Sequence, residues 1–168
     1  MKQKAKIIFQ IGFVLYVIIM LWLLFGQRLG HTSPYTYWER FNSNYNFNPL
    51  FTVREFIQTA TISARPYLIW QAVINIVGNI VMFVPLGFFI PYLWTKQRPF
   101  WRSMLCAAIC IVVVEIVQLF TLLGSCDIDD LILNMLGVAI GYGVYCIVVL
   151  LFAKIETKKQ LLEVRKAK

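Results

Sequence analysis

The chain has 168 residues, of which 60% are hydrophobic and 14% charged, and it carries a net charge of +8. A soluble domain is nearer half apolar and about a quarter charged, and the mean hydropathy of +0.70 points the same way, so the composition reads as one integral membrane domain. The positive charge does not read as nucleic-acid binding, because Lys and Arg stand in short tracts beside apolar runs, with no basic surface interleaved with stacking aromatics.

The first apolar run covers 7–25. Its basic flank resembles a signal peptide, but it is too long for such a hydrophobic segment, and "GQRLGH" has no small-x-small cleavage site. As a helix it spans about 28 Å, enough to cross a bilayer, so it is expected to be retained. Residues 27–67 form a long polar and aromatic loop rich in Asn, Ser and Pro. A loop of this length is expected to hold structure of its own. "TVREFIQTA" suits a short helix, and the many aromatic side chains suit a membrane interface.

The second run, 68–94, contains Asn75, Asn79, Pro85 and Pro91, and the prolines are expected to kink or break it, with Gly87 between them easing the bend. The third, 104–123, carries Glu115 and Gln118, and the fourth runs over 127–153. The tail, 154–168, is expected to form a short amphipathic helix at the inner surface.

Four spans put both termini on one side. The N-terminal lysines, the Thr95–Ser103 loop with Lys96, Arg98 and Arg102, and the basic tail share that side, which the positive-inside rule makes cytoplasmic. The 27–67 loop, with Arg28, Arg40, Arg54 and Arg65, and the "GSCDIDD" turn then face outward. The expected fold is an all-α integral membrane protein with four transmembrane helices, a long structured outer loop and cytoplasmic termini.

The polar residues inside the spans converge. At about 100° per residue, Asn75 and Asn79 share one stripe of the second span, and Glu115 and Gln118 share a face of the third. Asp127, Asp130, Asn134, Gly137 and Gly141 fall within about 80° on the fourth, while Asp129 points elsewhere. Asn75, Glu115 and Asn134 all lie about 10–12 Å below the outer surface. A charge there costs several kcal/mol unless paired or hydrated, so the expected arrangement is one outward-opening polar pocket.

Structural readings stand beside this one. Asp127 can cap the fourth helix with Asp130 in its first turn, and the amides can bond between helices. Gly137 and Gly141 form a small-xxx-small contact face, which also offers a seat for a second copy. Glu115, in mid-span, is the residue hardest to assign to structure alone. Cys106, Cys110 and Cys146 read as small buried hydrophobes, and Cys126, beside the acids, is weighed as a nucleophile and set aside. The only histidine, His31, leaves no His-based triad or His-rich metal site.

The same residues carry a resemblance. "NIVGNIVMFVPLGFFIP" (75–91), "EIVQ" (115–118) and "DIDDLILNMLGVAIGY" (127–142) resemble the signature blocks of the VanZ-like family, and "NFNPLFTV" (46–53) resembles its Asn-Pro-Phe segment. Where that family often has an arginine, Gly124 stands here, with Arg54 or Arg65 as possible substitutes. The resemblance implies a multi-pass protein of the bacterial plasma membrane linked to low-level resistance to teicoplanin and other lipoglycopeptides.

The expected site is Asn75, Asn79, Glu115, Gln118, Asp127, Asp130 and Asn134, without metal or cofactor. Its expected ligand is a membrane lipid or lipid-linked cell-wall precursor, or the antibiotic itself. The alternative is a membrane enzyme that modifies such a lipid or precursor, with Glu115, Asp127 and Asp130 as catalytic acid–base groups or metal ligands. A transporter is disfavoured by the lack of inverted repeats or a polar path inward.

Overall fold

The computed structural model describes residues 2–26, 29, 34–62 and 66–166. Arg28, His31 and Arg65 lie outside them. Four helices are long and apolar enough to cross a membrane. They are α1 (Lys2–Phe25), α4 (Pro66–Leu93), α5 (Phe100–Thr121) and α6 (Ile128–Lys166). Between α1 and α4 lie two short helices, α2 (Tyr37–Ser43) and α3 (Phe51–Ile62), and a two-residue strand, β1 (Tyr45–Asn46). A second such strand, β2 (Cys126–Asp127), leads into α6. The protein is therefore an all-α membrane protein.

The bundle is built on α4 and α6, which share the most extensive packing. Glycine makes this approach possible. A Cβ on Gly87 would lie 2.0 Å from the Val138 carbonyl oxygen, one on Gly137 2.1 Å from that of Ile80, and one on Gly141 1.9 Å from that of Val84. Backbone therefore meets backbone in both directions, the contact that small residues allow where lipid supplies no hydrophobic drive between helices. The Gly137–Gly141 face, expected to be open to a second copy, is covered by α4 of the same chain.

Around this seam a compact core forms from Met20, Phe83, Leu86, Ile90, Ala107, Ile111 and Val138. The outlying member is α1, of whose apolar window only 6% is buried against 22% for each other span. It docks on α4 through rings, Phe9 on Tyr92 at 4.2 Å and Phe13 on Phe89 at 5.5 Å between centroids.

One sequence expectation narrows here and another changes. Pro85 and Pro91 do not break α4, which runs through both as one helix. Proline removes an N–H from the ladder and disturbs the turn before it. In that turn the Tyr16 hydroxyl donates to the Met82 carbonyl at 3.0 Å, a neighbouring-helix partner of the kind that lets membrane helices tolerate proline. The tail is not a separate helix either, because α6 continues without interruption to Lys166. Its long side chains are strong helix formers, and nothing between the apolar run and the tail stops a helix.

The 34–62 segment is locally well specified. Thr36 caps α2 in a reciprocal capping box with Glu39. The Thr36 backbone N–H, and after it the Thr36 hydroxyl, hold the Glu39 carboxyl below its usual range.

Candidate functional site

The end of the bundle where α1 and α5 finish and α6 begins is covered by the 34–62 segment. The segment is attached first to the last turn of α5, whose carbonyls have no helical partner. The Tyr37 hydroxyl donates to the Phe120 carbonyl at 3.0 Å, and Arg40 donates to that of Leu122 at 3.2 Å. A cation there also suits the negative end of the helix dipole. Leu122 itself is left-handed, with φ 55°. Beyond it, the Asn44 side-chain amide donates to the Gly124 carbonyl, and the Cys126 N–H donates to the Asn44 carbonyl at 2.9 Å. Strands β1 and β2 then pair in parallel, Tyr45 with Cys126 and Asn46 with Asp127.

That register brings the acids under the loop. Asp127 caps α6: its Oδ1 accepts the Asp129 N–H at 2.9 Å. Its Oδ2 accepts the Thr52 hydroxyl at 2.5 Å, and Thr52 in turn accepts the Asn46 amide at 3.1 Å. Glu115 reaches up from α5, and its Oε2 accepts the Asp127 N–H at 3.3 Å. The Asn79 amide of α4 donates to Asp130 at 2.5 Å.

Asp129 has the role its place on the helical wheel hides. It is 1% exposed, the most deeply buried of these acids. Its two oxygens accept the backbone N–H groups of Leu50 at 2.5 Å and Val53 at 3.1 Å. These are donors at the start of α3, which no helical carbonyl can satisfy. Asp129 therefore lies in the first turn of α6 and also caps α3, where the dipole favours an anion. Leu50, with φ 62°, turns the chain so that its N–H points at this carboxylate.

The expected site residues separate into groups. Asn79, Glu115, Asp127 and Asp130 are linked as described. Asn134, one turn along α6 from Asp130, is 3% exposed, and its side-chain oxygen has no hydrogen-bond partner among the described residues. Gln118 is buried but turned to α1, where it donates to the Leu24 carbonyl at 3.3 Å. It also fills the space beside Gly124, where a Cβ would lie 2.6 Å from its amide carbon. Asn75 shares a stripe with Asn79, yet it is exposed and faces a cleft shared with Phe56 of α3 and Gln71. It is not part of the carboxylate cluster. Arg54 is exposed on α3 and lines a hollow with Asn48 and Leu50.

Sequence reasoning missed Asp129, Thr52 and the Leu50–Val53 main chain. The stretch "NFNPLFTV" was the available signal, since it holds Asn46, Leu50, Thr52 and Val53 together.

The arrangement is a set of oriented acceptors, each carboxylate held by a backbone N–H or a side-chain donor. It is suited to receiving N–H and O–H donors. Among the described residues, no three His, Cys, Asp or Glu side chains are grouped to hold a metal ion. Cys126 does not fit a nucleophile: burial, then the charges of Glu115, Asp127 and Asp130, push its thiol above the ordinary range, and only the thiolate attacks. In a background with Cys106, Cys110 and Cys146 replaced by alanine, Cys126 alkylation by iodoacetamide is expected to stay slow at neutral pH. Its rate should rise only above the pH at which a free thiol ionises. Glu115→Gln should move that profile to lower pH, and an unshifted profile would remove Glu115 as a cause.

No curated protein and no solved structure matches the chain. The VanZ/LLP1 family model matches residues 13–151, which takes in α4 and α5 whole, most of the apolar parts of α1 and α6, the covering segment and every acid of the cluster. The chain is a multi-pass membrane protein that belongs to the VanZ/LLP1 family.

Proposed function

We propose that the protein acts in the bacterial plasma membrane with its termini in the cytoplasm and its carboxylate cluster facing outward. There it gives low-level protection against teicoplanin-type lipoglycopeptides by binding a lipid-linked envelope component or the antibiotic. The observation that carries this reading is the cluster itself. Glu115, Asp127 and Asp129 are all under 9% exposed at one end of the bundle; Asp129 holds the covering segment by two of its backbone N–H groups, Asp127 by the Thr52 hydroxyl, and Glu115 accepts the Asp127 N–H. Buried carboxylates are costly in a membrane and mark sites of function, and acceptors fixed in advance bind donors with less ordering cost.

The orientation is supported by charge. Lys96, Arg98 and Arg102 lie at the α4–α5 turn, and Lys154, Lys158 and Lys159 lie in the far part of α6, away from the cluster.

The test is teicoplanin susceptibility of cells carrying Glu115→Gln, Asp127→Asn or Asp130→Asn at matched membrane abundance. Losing a hydrogen bond to a charged acceptor is worth about 1.5–3 kcal/mol, so ligand affinity should fall roughly tenfold or more and protection with it. If all three variants protect as well as the parent, the carboxylate cluster is not the site.

A further inference from the structure

Between α5 and α6, beside β1, lies a cleft of ≈ 240 Å³ that reaches the carboxylate cluster from the side. Val112, Ile116 and Leu131 form its apolar walls, and Phe47, Glu115 and Asp127 also line it. Exposure gives it a direction. Val112 is 41%, Ile116 46% and Phe47 63% exposed, whereas Glu115 is 6% and Asp127 8%. The rim is apolar and open, and the acids lie at the closed end.

Val112 and Ile116 belong to the membrane-crossing helix Phe100–Thr121, so this opening meets the bilayer interior and not water. Glu115 stands six residues before the end of that helix, about 9 Å below it at the ordinary helical rise. Tyr45 and Phe47, stacked at 5.5 Å and both exposed, lie just above. Aromatic side chains of this kind sit at the headgroup level.

We infer that this cleft is a lateral binding groove for a membrane lipid. One hydrocarbon chain lies against Val112, Ile116 and Leu131, and an N–H or O–H of the headgroup region donates to Glu115 or Asp127. The surroundings and the dimensions both select this occupant. What covers an exposed apolar wall at that depth is lipid. The volume equals about eight waters at roughly 30 Å³ each, below the range of about 300–1,000 Å³ for drug-sized ligands. A single chain segment fits there and a glycopeptide does not. The inference rests on the reading of the carboxylate cluster as a ligand site, and it narrows the ligand to one that arrives through the bilayer.

The experiment uses the full chain in vesicles of phosphatidylglycerol and phosphatidylethanolamine, doped with phosphatidylethanolamine carrying a diazirine in mid-chain. After illumination, labelled peptides are mapped by mass spectrometry. Labelling is expected to concentrate on 112–131. Ile116→Trp should fill the groove and lower that labelling at least about fivefold, as loss of one buried chain segment implies. Val112→Trp, one turn away on the same wall, is a second and independent block. Val113→Trp, on α5 but outside the groove, should leave labelling unchanged.

Labelling spread evenly over the exposed faces of α5 and indifferent to both blocking variants overturns the groove. Susceptibility assays separate the two ideas. If the blocking variants abolish labelling while Glu115→Gln, Asp127→Asn and Asp130→Asn all protect fully, the protective role of the cluster fails and the groove stands. If Asp127→Asn loses protection while labelling ignores the groove, the groove fails alone.

Discussion

Replacing Gly141 by alanine is expected to destabilise the folded bundle by about 3 kcal/mol, the upper end for an overpacked core. The added Cβ would lie 1.9 Å from the Val84 carbonyl oxygen. An overlap with a flexible side chain is relieved by a rotamer change. This one is with backbone, so α4 and α6 must separate along the seam. Contacts at Ile80 with Gly137 and at Val138 with Gly87 would loosen with it. In a bilayer this loss is not offset by a hydrophobic drive to stay together, because lipid is as apolar as the helix surface.

Gly143→Ala is the control. Its Cβ would meet nothing within 4 Å, and alanine is the better helix former, by about 1 kcal/mol in an exposed position. Fluorescence-detected size exclusion after a heat ramp in detergent reads both variants. Gly141→Ala should lose its monodisperse peak well below the parent temperature, and Gly143→Ala should match or exceed the parent. Equal behaviour of the two would mean that α4 and α6 do not meet as described.

Asp129→Asn is expected to release the covering segment while leaving the bundle intact. Asparagine keeps the shape but replaces one acceptor oxygen by a donor. Leu50 and Val53 both offer N–H groups to this side chain, so one N–H would face another donor in a buried place. Losing a charged acceptor and leaving a buried donor unmet costs about 2–3 kcal/mol. Because α3 depends on Asp129 for the cap at its start, the cost falls on α3 first. Amide exchange over Phe51–Ile62 should accelerate roughly 30-fold or more, with the interior of α4 and α6 unaffected. Asp130→Asn, half-buried and bonded to Asn79, should leave α3 exchange near the parent rate. Unchanged α3 exchange in Asp129→Asn would remove that cap from the account.

The membrane class and the number of spanning helices were legible in the residues alone. Bilayer thickness demands about 20 apolar residues per span, and the chain has four such runs and few charges to interrupt them. The glycine stripe was legible too, because helical period alone places Gly137 and Gly141 on one face. What covers that face was not, since a small-residue seam fits an intrachain helix and a second copy equally well.

The acids divide along the same line. Periodicity grouped Asp127, Asp130 and Asn134 and set Asp129 apart, and that angle is real. An angle around a helix axis states which residues share a face, and it is silent on what lies against the other faces. Asp129 turns toward the backbone of Leu50 and Val53, 79 and 76 residues earlier in the chain. Asn75 shows the converse, sharing a stripe with Asn79 but standing exposed beside Phe56. Four membrane helices and a reserve of costly polar groups in them follow from the residues alone, because hydrocarbon penalises each such group locally. Which of those groups meet depends on how the elements pack, because the pairing of β1 with β2 and the docking of α3 are set by contacts far apart in the chain.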